Sequence, residues 1–325
     1  MTNLAIMTNL AIAANGLRKS YRGKDGDKVV LDGIDLAVPE GTIFSLLGPN
    51  GAGKTTTVQI LSTLIRADGQ VQVAGYDLNR QADDVRGAIG VTGQYSAVDK
   101  LLTGEENLLL MADLKHLPKR EGKQKAKELL EQFDLVDAAK KPAASYSGGM
   151  QRRLDLAMTL VGDPRLIFLD EPTTGLDPRS RRAMWGIIRD LVKNGVTIFL
   201  TTQYLEEADE LADRIALLDH GRLIAEGTAE ELKRLIPGGH IEFTFADTHL
   251  LEAARHLVGA GVADPEALTL QVPSDGGVRA IRELLVVLDE RSIDIADMSV
   301  HTPDLDDVFL TLTGQQTSQK QEALR

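Results

Sequence analysis

Cysteine is absent from the 325 residues, which excludes a disulfide framework, a thiolate metal site and a thiol nucleophile. Its absence also fits a reducing cytoplasm. Long apolar runs are missing: no stretch approaches eighteen consecutive apolar residues, so no bilayer-spanning segment is expected. Positive charge is in deficit, with 36 Lys and Arg against 48 Asp and Glu for a formal charge of −12. That sign opposes general binding to nucleic-acid phosphates, and no nucleic-acid partner is expected. The N-terminus has no basic segment followed by a long apolar stretch, so no secretory signal is expected either. What remains is an ordinary globular composition, 43% hydrophobic and 26% charged, long enough for one large core and a smaller module. The hexapeptide MTNLAI at 1–6 recurs at 7–12. It reads as a shifted start, and the first six residues are left out of the fold argument.

The stretch TIFSLLGPNGAGKTTTVQIL, 42–61, is the most informative in the chain. TIFSLL is a short apolar run with β-branched residues, the pattern of a buried parallel strand. The residues Gly48, Pro49, Asn50, Gly51, Ala52, Gly53, Lys54 and Thr55 then match the phosphate-loop pattern G-x-x-x-x-G-K-[ST] at every fixed position. Thr56 follows, and a helix is expected with Val58, Leu61 and Ile65 on its apolar face. Glycines let successive backbone N–H groups curl toward a phosphate. The helix N-terminus adds partial positive charge there. Lys54 is placed to reach the β- and γ-phosphates, and the Thr55 hydroxyl to take a Mg²⁺ position.

A second apolar strand, LIFL, ends in Asp170 and Glu171 within PRLIFLDEPTTGLDP, 164–178. In a parallel sheet both strand ends emerge where ligands of open α/β folds sit. Asp170 can hold Mg²⁺ or its water, and Glu171 can polarise an attacking water as general base. Upstream, Ser147, Gly148 and Gly149 open a helix in SYSGGMQRRLDLAMTLVGDP, which is weak evidence for an anion site by itself.

Together these stretches, with VTGQYS and the turn in IFLTTQYLEEADELADRI (198–215), resemble the ATP-binding subunits of ABC transporters over roughly residues 9–235. DPRSRRAMW, LTTQYLEEADELADRIALLDHGRLIAEGT and the ending LDDVFLTLTG are similar to the daunorubicin-resistance type of drug-export ATPase. The resemblance implies an α/β P-loop ATPase core with a helical subdomain near 95–160 and an antiparallel β subdomain. It implies that Tyr21 stacks on adenine and that Gln94 ligates Mg²⁺ or the lytic water and senses a membrane partner. Ser147, Gly148, Gly149 and Met150 are then the signature that grips ATP bound to a second subunit, with Asp177 at the seam. One departure is visible: Tyr146 stands for the usual leucine and Met150 for a frequent glutamine, and both are expected to pack. With one phosphate loop and one signature per chain, a homodimer is expected.

Gln203 stands where the family commonly places a histidine. Its amide offers a donor and an acceptor, as a neutral imidazole does, but takes up no proton near neutral pH. Gln203 is therefore expected to position the phosphate, Lys54 to bind it, and Glu171 to remain the sole candidate base.

The segment 101–142 reads as mostly helical, its KREGKQKAK piece as a solvated face. The resemblance makes this block the surface that receives a helix of a separate membrane permease. IALLDHGRLIAEGT reads as a hairpin turning at Asp219, His220 and Gly221, followed by a helix in AEELKRLI. PGG at 237–239 marks a linker, which sets the core domain at 9–236. Residues 240–314 alternate short strands and helices as a small accessory α+β module, and 315–325 form a polar tail. His240, His249, His256 and His301 have no metal-ligand spacing. Two function classes stand at this point. One is the ATP-hydrolysing subunit of an exporter, peripheral on the cytoplasmic face of the membrane and carrying a hydrophobic drug-like, lipid or glycan cargo. The other is a soluble ATPase that remodels a macromolecular complex.

Overall fold

The strands 43–47, 166–170 and 197–202 are buried along their whole length, because each run is largely apolar and lies inside a parallel sheet. The computed structural model describes residues 10–23, 26–94, 96–236, 239–274, 277–301 and 303–313. The chain divides into two compact units, Met1–Ala229 and Glu230–Arg325. The first MTNLAI copy, the 315–325 tail and two residues of the PGG linker lie outside the described residues.

In the first unit, β1 (Leu10–Gly23) and β2 (Gly26–Pro39) form a long antiparallel pair. β3 (Ile43–Leu47) leads through the glycine loop into α1 (Lys54–Leu61). Then come β4 (Asp68–Val73), β5 (Tyr76–Asp77), α2 (Ala82–Ala88) and β6 (Ile89–Thr92). The helices α3 (Gly104–Leu114), α4 (Lys119–Gln132) and α5 (Gly148–Thr159) follow. The unit ends with β7 (Leu166–Asp170), α6 (Pro178–Lys193), β8 (Thr197–Thr202), α7 (Leu205–Leu211), β9 (Arg214–Asp219) and β10 (Arg222–Gly227).

These strands make two sheets. The antiparallel sheet runs β2-β1-β4-β5, and the main sheet runs β10-β9-β3-β8-β7-β6. In the main sheet every pairing is parallel except β9 with β10. Phe44, Phe199 and Phe168 are register partners across β3, β8 and β7. Phe44 stacks on Phe199 at 5.6 Å, and Phe168 tilts against Phe199 at the same separation. These contacts pin three adjacent strands in one register.

The expectation of a helix reaching Ile65 is corrected. The α1 helix stops at Leu61, and Thr63 turns into the left-handed region at φ 67°. Helices α3, α4 and α5 pack around Leu108, Leu129, Phe133 and Leu154, all buried. Thr103 caps α3 reciprocally with Glu106. Most lysines of α4 are exposed, its buried stripe being Gly122, Ala126, Leu129 and Leu130.

The second unit begins within α8 (Ala229–Lys233). It continues with β11 (His240–Thr244), α9 (Thr248–Val258), β12 (Val262–Asp264), β13 (Thr269–Pro273), α10 (Val278–Asp289), β14 (Asp297–His301) and α11 (Leu305–Leu312). Its sheet is antiparallel in the order β12-β13-β11-β14, over a core that includes Ile241, Phe243, Leu251 and Leu270. His240 and His301 are register partners, their rings 4.9 Å apart. Among the described residues no group of three His, Cys, Asp or Glu gathers at metal-binding distance, and no helix is long and apolar enough to cross a membrane.

Candidate functional site

Register decides which residues meet. Leu47 pairs with Thr202, and Asp170 pairs with Thr201, so β3, β8 and β7 end together. Gly48, Gln203 and Glu171 are the residues immediately past those ends. The amide of Gly48 donates to the Thr202 carbonyl at 3.3 Å, which ties the start of the glycine loop to the turn that carries Gln203.

Two glycines of the loop are sterically required. A Cβ on Gly48 would stand 2.2 Å from the Leu218 carbonyl oxygen. One on Gly53, whose φ is +116°, would stand 2.6 Å from Leu31 Cδ2. The β9–β10 turn braces the loop from below, Gly221 donating its N–H to the Ala52 carbonyl at 3.0 Å. Leu31, Leu218 and Gly221 carry no motif, and sequence reasoning did not connect them to the loop.

Lys54 opens α1 with its side chain only 4% exposed. Its Nζ donates to the carbonyls of Gly48 and Pro49 at 2.7 and 3.2 Å and lies 3.6 Å from Glu171 Oε1. Burial pulls the ammonium below the usual lysine range, while Glu171 and then Asp170 pull the other way. Thr55 Oγ1 lies 3.3 Å from Asp170 Oδ1, and the Thr201 hydroxyl donates to the same oxygen at 2.5 Å. Hydroxyl and carboxylate oxygens are the donor set a hard cation takes.

Glu171 adopts a left-handed backbone at φ 51°, a conformation that costs a non-glycine residue roughly 1–3 kcal/mol. Its N–H holds this turn by donating to Thr201 O and Thr201 Oγ1 at 3.1 and 3.2 Å. The Thr174 hydroxyl reaches Glu171 Oε2 at 3.3 Å. The carboxylate is thereby aimed back toward Lys54.

The remaining candidates are spread around this centre. Gln203 is half-buried between β8 and α7, and Gln94 is exposed in the turn after β6. Tyr21, 42% exposed on β1, has Lys19 Nζ 5.2 Å above its ring. Ser147 caps α5 by accepting from Met150 N, and Asp177 caps α6 by accepting from Arg179 N and Ser180 N. The Ser180 hydroxyl, foremost, holds the Asp177 carboxyl below the usual range. Ser147, Gly149, Met150, Asp177 and Ser180 line a hollow of about 370 Å³ that contains none of the Gly48–Thr56 residues. Tyr146 packs as expected: it is buried, and its hydroxyl donates to the Ala138 carbonyl at 2.7 Å.

Two charged residues that received no role from the sequence lie beside this centre, Arg152 nearly buried and Glu207 fully buried. Arg152 on α5 donates from all three guanidinium nitrogens to main-chain carbonyls around the acidic strand end. Glu207 on α7 is fully buried, its Oε1 accepting from Thr173 Oγ1 at 2.7 Å and Trp185 Nε1 at 3.1 Å. Its Oε2 has no hydrogen-bond partner among the described residues. A charged residue in the buried stripe of α7, beside Ala208 and Leu211, is the available signal for Glu207.

Residues 31–174 match the family described as ABC transporter. Across nearly the full length, the chain is 49% identical over 317 residues to the daunorubicin resistance ATP-binding protein DrrA2 of Streptomyces coeruleorubidus, covering 96% of this chain and 97% of that one. The chain belongs to the ATP-binding subunits of ABC transporters. This ABC chain is also 47% identical to the doxorubicin resistance ATP-binding protein DrrA of Mycobacterium tuberculosis, covering 95% of each. It is 33% identical to the linearmycin resistance ATP-binding protein LnrL of Bacillus subtilis, over 94% of this chain and 98% of that one. Among solved structures, it is similar to a dimeric post-hydrolysis state of an ATP-binding cassette bound to ADP and Pi. There the TM-score is 0.61 at 27% identity, covering 67% of this chain and 98% of that one.

Proposed function

We propose that this chain binds and hydrolyses ATP as one half of a homodimer, and that it powers export of a hydrophobic, drug-like compound through a separate membrane permease. The observation that carries the ATPase reading is the meeting of Lys54, Thr55, Asp170 and Glu171 at aligned strand ends, with Lys54 Nζ 3.6 Å from Glu171 Oε1. The drug-export reading rests on full-length identity to resistance proteins.

The loop glycines and the α1 N-terminus bind the triphosphate, and Lys54 exchanges its loop carbonyls for β- and γ-phosphate oxygens. Thr55, Gln94 and Asp170 would hold Mg²⁺, which would supply neutralisation of phosphate charge there. Glu171 accepts a proton from the attacking water. Gln203 orients the γ-phosphate from the end of β8, and Tyr21 stacks on the base. The separate lining of the Ser147 hollow supports a two-chain site, in which each signature faces the partner's nucleotide and Asp177 lies at the seam. The 9–236 core would then carry the ATPase site, and the 240–314 module would act as an accessory that steadies the pair. The chain would sit on the cytoplasmic face of the membrane.

The test is Glu171→Gln in the full chain, purified in detergent with MgATP. The expected result is an ATP-bound dimer, measured by light scattering, that co-purifies with a polytopic membrane protein. A strict monomer at saturating ATP would overturn the dimer reading, and recovery with ribosomes or DNA would favour the remodelling ATPase.

A further inference from the structure

We infer that Arg152 is a positioning residue that fastens the Gln94 loop to the Asp170–Glu171 strand end, so that displacement of that loop reaches the acidic pair through one guanidinium. The inference rests on the ATPase reading above for the roles of Gln94 and Glu171. Arg152 Nη1 donates to the Gly93 carbonyl at 3.0 Å, one residue before Gln94. Nη2 donates to the carbonyls of Asp170 and Glu171 at 3.1 and 3.2 Å, and Nε to that of Pro172 at 2.8 Å. The same Nη1 lies 3.3 Å from Asp155 Oδ2, and Asp155 Oδ1 accepts from Ala97 N at 3.0 Å. One ion pair therefore grips the Gln94 loop on both sides, at Gly93 and at Ala97, and grips three consecutive carbonyls of the acidic turn.

The choice of side chain follows from geometry. An ammonium has three donors at one point, whereas the planar guanidinium spreads five donors over several ångströms and stays charged when buried. The pair is nearly buried, at 11% and 3% side-chain exposure. Burial lowers Arg152 and raises Asp155, their mutual attraction opposing both shifts. A pair that served only to fill the core would be satisfied by each other. This one directs most of its bonds to the two loops that carry the candidate chemistry. It also issues from α5, the helix that Ser147 caps, so signature, Gln94 loop and acidic turn share one rigid connection.

The experiment compares Arg152→Lys and Arg152→Gln with the parent full-length chain by amide hydrogen exchange and steady-state ATPase. Exchange in 93–99 is expected to rise about tenfold or more without nucleotide, while 43–47 in β3 keeps its protection. In Arg152→Lys, kcat should fall about tenfold or more with KM for ATP within about threefold. Combined with Gln94→Ala, the Lys substitution should lower kcat by no more than about twofold further, because both act through one loop. Unchanged exchange in 93–99, or kcat losses that multiply, would overturn the proposal. If the Arg152 variants do not fold, Asp155→Asn answers the same question through the Ala97 amide. A Glu171→Gln control that kept the parent kcat would sink the base assignment alone, since exchange in 93–99 is read without catalysis.

Discussion

Lys54 and Glu171 face each other across 3.6 Å, from the first residue of α1 and the residue just past β7, with side-chain exposures of 4% and 8%. A buried cation and a buried carboxylate are each costly alone. Here each also has a proposed task, phosphate binding for one and proton acceptance for the other. Glu171→Gln keeps the shape and removes the base. Its kcat should fall by about 10²–10⁴ while fluorescent-ATP binding persists. Phosphate release at the parent rate would show that another group takes the proton.

Gly48→Ala and Gly53→Ala should separate folding from nucleotide binding poorly, because both sites are closed by the fold itself. The added Cβ meets the Leu218 carbonyl oxygen at 2.2 Å in the first and Leu31 Cδ2 at 2.6 Å in the second. Overpacking of this kind costs about 1–3 kcal/mol. The Gly53 variant adds strain at φ +116°. Urea melts should report losses in that range for both, with weaker ATP affinity, whereas Gly51→Ala, with open space around it, should lose chiefly through its positive φ.

Glu207 sets a pH dependence on stability. Burial raises its carboxyl above the ordinary 4.5, against the hydrogen bonds from Thr173 and Trp185. The folded chain thus holds this proton more tightly than the unfolded one. The resulting stabilisation is complete below the unfolded value and is lost as pH rises through the raised folded value. Glu207→Gln has no such loss, so its melting temperature relative to the parent should climb as pH goes from about 4.5 to about 8. A constant difference across that range would mean the carboxyl does not titrate in this way.

Gln203 predicts a flat region in the pH–rate profile. A glutamine contributes no limb near the histidine value of about 6.5. Gln203→His should create one, read as a fall in kcat/KM on the acid side. If the parent already shows a strong limb there and the variant leaves it unchanged, the γ-phosphate position is not held by residue 203.

The phosphate loop, the all-apolar strands that flank it, the acid pair at 170–171 and the hairpin at 219–221 were legible because each is set by neighbours in the chain. Apolar runs bury, glycines permit the turn, and hydroxyl and carboxylate types fit phosphate and cation. The α1 end was misread at Ile65 because periodicity continues past Leu61 whereas the backbone leaves the helix at Thr63. Arg152, Glu207 and the Leu218 carbonyl under Gly48 were invisible for a different reason. Their significance lies in partners 18 to 170 positions away along the chain, which the pairing of β3 with β9 and the packing of α5 and α7 bring within a few ångströms. Sequence alone determined which chemistry the chain carries. Tertiary structure decided which buried charges fasten that chemistry together, because hydrogen bonds and desolvation act over distances in space and not along the chain.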